Sequence, residues 1–143
     1  MRHTPYMRAL ALALALAVSA IGGCGGDDSA QSDGVTFAFR MRGQDASEEF
    51  RIRTDDAVFI EKARAQLRLA QDQRFLFPAG PIAAGNGGVN LSWGWHYTRA
   101  DLAEMSIELC DGRPSMVQAD LNYWLGTVKS FCPWGAYVHA ELK

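Results

Sequence analysis

The segment from Ile107 to Tyr137 constrains this chain more than any other. It reads as a strand end, Cys110, a helical stretch, Cys132 and a second strand-like run. Pro114 suits a first helical turn, Val117, Leu121, Trp124 and Leu125 recur at helical spacing, and Gly126 suits a C-terminal cap. Cys110 and Cys132 are read as a disulfide that staples the two flanking strands across that helix. Closing a loop of 23 residues is worth roughly 3 kcal/mol on the chain-entropy account, a large share of a typical total of about 5 to 15. A zinc site is disfavoured because no histidine stands at ligand spacing from the pair, and no C-x-x-C redox motif is present.

The third cysteine belongs to a different context. Arg2 and Arg8 precede an uncharged apolar run from Ala9 to Ile21, thirteen residues long, which suits a signal-peptide core and is too short for a spanning helix of about 20. The run ends in Ile21-Gly22-Gly23-Cys24, which resembles the lipobox of bacterial lipoproteins. That resemblance implies a signal peptide over residues 1–23 and a chain anchored through a lipidated Cys24. Lipidation also accounts for the odd thiol, since an exported chain then keeps Cys110 and Cys132 as an even pair. Gly25 rather than Asp follows Cys24, so in a bacterium with two membranes the expected location is the outer membrane, facing the periplasm or the surface. From Gly25 to Gly34 no aromatic or large aliphatic residue occurs, and residues 24–34 are read as a flexible tether whose ten links extend to roughly 33 Å.

Removal of residues 1–23 takes away two of the fourteen Lys+Arg and none of the sixteen Asp+Glu, leaving a formal net charge of −4. With that balance and no basic cluster along the chain, nucleic acid is not an expected partner.

Residues 35–143 read as one folded domain. Val35, Phe37, Phe39 and Met41 alternate, as do the residues of Phe50 to Thr54, and Gly43 with its polar neighbours suits a hairpin between them. Asp55 and Asp56 then introduce a helix over about Asp56 to Ala70, with Phe59, Ile60, Ala63, Leu67 and Ala70 on one face. Phe75 to Ala83 is apolar but carries Pro78 and Pro81, which predicts an edge strand. Gly85-Asn86-Gly87-Gly88 is followed by neither a lysine nor a helix start, so it reads as an open turn, and no cofactor is expected.

Leu91 to Tyr97 is the most aromatic run, with Leu91, Trp93, Trp95 and Tyr97 on one side and Ser92, Gly94, His96 and Thr98 on the other. Such a row forms either the core face of a sheet, the commoner use of large aromatics, or a platform that stacks on a glycan. Asp101 to Leu109 predicts another strand, with Met105, Ile107 and Leu109 alternating against Ser106 and Glu108. A last strand over Trp134 to Leu142 places Trp134, Ala136, Val138, Ala140 and Leu142 on one side, with His139 beside Tyr137 and Glu141 on the other. The order of elements predicts an α+β domain: a largely antiparallel sheet with two helices on one face and one disulfide.

Several elements then carry a family resemblance. Gly94-Trp95-His96-Tyr97, Ile107-Glu108-Leu109-Cys110-Asp111, Phe131-Cys132-Pro133-Trp134, the Ala63-Arg64-Ala65-Gln66-Leu67 segment and Gly80-Pro81-Ile82 resemble the N-terminal domain of a calmodulin-binding protein family, which also occurs alone in short secreted bacterial proteins. The resemblance runs from Phe50 to Leu142 and implies a shared fold. It carries across no catalytic residue, and calmodulin is not an expected partner of an exported bacterial chain.

The expected function is a lipid-anchored binding module of the cell envelope, not an enzyme, taking a protein or glycan ligand on a surface drawn from Trp93, Trp95, Tyr97, His96 and Trp134. An alternative is a small hydrolase using His96 or His139 with Asp101, Glu104, Glu108 or Asp111, whereas His96 and Ser92 on one strand face, with no third group to orient the imidazole, read as a half-exposed polar pair. A second alternative is a structural assembly lipoprotein. Calcium binding by Asp101, Glu104, Asp111 and Asp120 is not expected, because their spacing matches no EF-hand loop.

Overall fold

The computed structural model describes residues 34–107 and 109–143. The expected signal peptide, Cys24 and all of the tether but Gly34 lie outside the described residues.

Two apolar alternating runs pair first. β1 (Val35–Met41) lies antiparallel to β2 (Phe50–Thr54), joined through Gly43 in the left-handed region and a single 3-10 turn at Ala46–Glu48. β7 (Ala136–Leu142) pairs on the other side of β1, giving a three-stranded sheet in the order β2-β1-β7. Phe37, Phe39, Phe50 and Ile52 all turn to one face, and α1 (Ala57–Leu67) covers it through Phe59, whose ring lies 6.1 Å from Phe37 and 6.3 Å from Phe39. The Asp56 carboxylate starts that helix by accepting from Phe59 N, the N-cap bond that leaves one fewer unpaired amide.

The second sheet is built on β3 (Phe77–Ala84), which pairs in succession with β5 (Asp101–Ala103), β6 (Ser130–Phe131) and β4 (Trp95–Tyr97). The expected edge strand is therefore the central one. Proline supplies only a carbonyl to a ladder. Here Pro81 O accepts from both Thr98 N and Thr98 Oγ1, and the remaining pairing is shared among three short partners. Gly80 is required at the crossing, since a Cβ there would strike the Arg99 carbonyl. The class is α+β with antiparallel strands, divided between two sheets whose apolar faces meet.

Three further expectations change. The helix after Pro114 is not continuous: α2 (Pro114–Ala119) stops at Asp120, α3 (Leu121–Tyr123) restarts under the Asp120 side chain, and a π turn follows over Trp124–Val128. Gly126 falls inside that turn, and Lys129, at φ 64°, ends it. The strands predicted over Leu91 to Tyr97 and Asp101 to Leu109 shrink to three residues each, because β3 has no further length for them to pair with.

The third concerns β7. Phe39 pairs with Val138 but Ala38 pairs with Ala140, so His139 is an extra residue, a β-bulge. The alternation slips by one there. Ala140 and Leu142 move to the side of Tyr137, opposite Ala38 and Thr36, while Glu141 swings to the helix side and meets Arg64 of α1 at 2.7 Å. That hydrogen bond holds the Glu141 carboxyl below its usual range. Arg74 fills the turn beneath the bulge, donating to Val138 O at 3.0 Å and to Leu69 O at 3.1 Å.

Candidate functional site

Cys110 and Cys132 form the disulfide, with Cα atoms 5.2 Å apart. It does not join two strands across a helix. It ties a non-regular segment before α2 to the chain just beyond β6. Two hydrogen bonds flank it: Cys132 N donates to Cys110 O at 2.8 Å, and Trp134 N donates to the Asp111 carboxylate at 2.8 Å. The Cys-Asp and Cys-Pro-Trp elements thus close on each other as one clasp. Both cysteines and Pro133 are buried.

What the clasp carries is unlike what it closes on. Met105, Ile107 and Leu109, expected in the core of a strand, lie in solvent: Ile107 is 94% and Leu109 97% exposed. Among the described residues no strand pairs with the chain between Ala103 and these side chains. Trp134, whose backbone the clasp fixes, is 52% exposed beside them. Ser106, Ile107, Leu109, Asp111 and Trp134 line a shallow groove of about 270 Å³, and Leu109 also borders a second groove with Tyr123, Thr127 and Val128. These large apolar side chains thus stand exposed next to the clasp.

The aromatic row divides. Trp95 is fully buried and Tyr97 is 9% exposed. Trp95 meets Phe131 edge-on at 5.1 Å, and the Tyr97 hydroxyl donates to Phe131 O at 3.1 Å. Burial pushes the Tyr97 phenol well above its ordinary value, so it remains a neutral donor. Neither ring offers a face to a glycan. Trp93 packs at the core margin, with its indole N–H donating to Glu49 O at 2.8 Å, and Leu91 is exposed. Of the surface expected from Trp93, Trp95, Tyr97, His96 and Trp134, only Trp134 presents an exposed ring.

The two candidate histidines, His96 and His139, are held by backbone and burial. His96 Nδ1 lies 2.7 Å from Gly85 O, and its ring packs so closely on Gly87 that a Cβ there would meet it at 2.7 Å. His139 sits at the bulge, where burial first, then Arg40 and Arg74, keep its imidazole below the ordinary value against an opposing pull from Glu49. Among the described residues no hydrogen bond joins either ring to a carboxylate, and Glu108 lies outside them. Asp111 and Asp120 are occupied with Trp134 N and Tyr123 N, and among the described residues no three His, Cys, Asp or Glu side chains gather as a metal site needs.

Residues 35–143 match the BP-74 N-terminal domain. The chain belongs to this family. The match begins at Val35, so the BP-74 N-terminal domain takes in the first hairpin, ahead of the Phe50 at which the resemblance started. Its most specific elements, Cys110-Asp111 and Cys132-Pro133-Trp134, are the two halves of the clasp. Neither the curated proteins nor the solved structures yield a match.

Proposed function

We propose that the protein is a lipid-anchored binding module of the bacterial cell envelope, held by Cys24 and taking a protein partner on the loop that the clasp restrains. The observation that carries this reading is the exposure of Ile107 and Leu109 beside Trp134 on a covalently closed frame. Aliphatic side chains gain little from a hydroxyl-rich glycan, and they gain about 25 cal/mol per Å² when an apolar protein pocket covers them. The short tether keeps the domain close to the membrane and free to meet envelope proteins. The lipobox resemblance at Ile21 to Cys24 supports the anchor.

The test is affinity capture from detergent-solubilised membranes, comparing the parent with Ile107→Ser and Leu109→Ser. A stoichiometric partner retained by the parent and lost by both variants, with unchanged thermal melting, is the expected result. Retention of the same partner by both variants would sink the loop as its site.

A further inference from the structure

Strand alternation gives the three-stranded sheet a second face, opposite the phenylalanines. Thr36, Ala38 and Arg40 of β1 and Arg51 and Arg53 of β2 occupy it, with Ala38 directly opposite Arg51 and Thr36 opposite Arg53. Three arginines distant in sequence thus gather on one side of a chain whose formal charge is negative. Arg51 and Arg53 are exposed. Glu49 faces Arg40 at 2.9 Å and Arg51 at 3.8 Å, one carboxylate against two guanidinium groups. Arg53 lies at the tether: it donates to Thr36 Oγ1 at 3.4 Å, and a Cβ on Gly34 would sit 3.0 Å from its Cγ. The tether therefore reaches the domain at the margin of its basic face.

We propose that this face docks on an anionic phospholipid surface, with Arg51 and Arg53 taking headgroup phosphates and Arg40 supporting them. The proposal rests on the lipid anchor at Cys24. A planar guanidinium presents paired donors that match phosphate oxygens, and it keeps its charge at any physiological pH. Ala38 is buried and its opposite number Ala140 partly so, while Arg51 and Arg53 stand exposed beside them. Docking in this sense turns α1, on the opposite face, away from the bilayer. Each arginine near an anionic leaflet contributes about fivefold in partition, and the effect weakens as salt shortens the screening length below about 10 Å.

The test uses the full lipidated chain in phosphatidylcholine vesicles with and without phosphatidylglycerol, treated with phenylglyoxal and read arginine by arginine by mass spectrometry. Phosphatidylglycerol should slow modification of Arg51 and Arg53 by about fivefold or more, leave Arg99 unchanged, and lose its effect at high salt. Equal modification in both vesicles, with the chain still floating with them, overturns the docking and leaves the anchor intact. Equal protection by inorganic phosphate without vesicles also overturns it, since the site would then take a free anion. A chain that fails to float with neutral vesicles but shows lipid-dependent protection keeps the docking and loses the anchor. A chain that shows neither loses both.

Discussion

Trp95 and Tyr97 on one side of the second sheet and Ile107 and Leu109 beyond its other end begin from the same sequence pattern, apolar residues two apart. The first pair is buried and ringed by Phe50 and Phe131, while the second lies almost wholly in solvent. The difference is the partner. β4 finds Ile82 to Ala84 of β3 to pair with, and β5 reaches the start of β3 at Phe77 and has nothing beyond it. Alternation describes which side chains can share a face. A ladder decides whether that face is covered.

The sharpest way to break the comparison is Trp95→Ala. A buried ring of this size costs about 3 to 5 kcal/mol to remove, a large part of a domain's total, so loss of cooperative melting is expected. An unchanged melt would mean that Trp95 is not central to the core. Next is opening the clasp with Cys110→Ser and Cys132→Ser together. Roughly 3 kcal/mol should be lost in denaturant titration, and a loss below about 1 would show that the paired backbone amides hold the segment unaided. A smaller effect follows from His139. Its folded imidazole takes up a proton less readily than the unfolded one, so the unfolded chain gains protons first as pH falls below about 6.5, and stability declines over that window. His139→Gln should flatten this decline in melts taken from neutral to mildly acid pH, and an identical slope in parent and variant would remove His139 as its source. Least of all should come from Leu109→Ser, within about 0.5 kcal/mol of the parent, because the side chain leaves solvent for nothing on folding.

Much of the fold was legible from residue patterns. β1, β2 and α1 announce themselves through Phe37, Phe39, Phe50 and Phe59, because each element carries its own apolar face and a local signal such as the Asp56 cap. The disulfide was legible from the cysteine count. β3 was legible as a strand but its central position was not, since Pro78 and Pro81 point to an edge and only the folded neighbours show how it is paired. The candidate site was half legible. Trp134 stood out, but Ile107 and Leu109 were assigned to a strand because local periodicity carries no information on where β3 ends. The arginine face was invisible for a related reason: Arg40 lies eleven residues from Arg51, and only the register of β1 on β2 brings them together.

The bulge at His139 makes one residue of β7 dispensable to its pairing. One residue separates the phase of Tyr137 from that of Glu141. Deleting it in frame would set Val138 and Ala140 next to each other opposite Phe39 and Ala38, so the ladder would run unbroken, with Ala140 and Leu142 still away from α1 and Glu141 still facing Arg64. A single lost codon here would cost the strand its local bend and leave its two faces as they stand, whereas loss of the paired Glu141 would turn Leu142 toward α1.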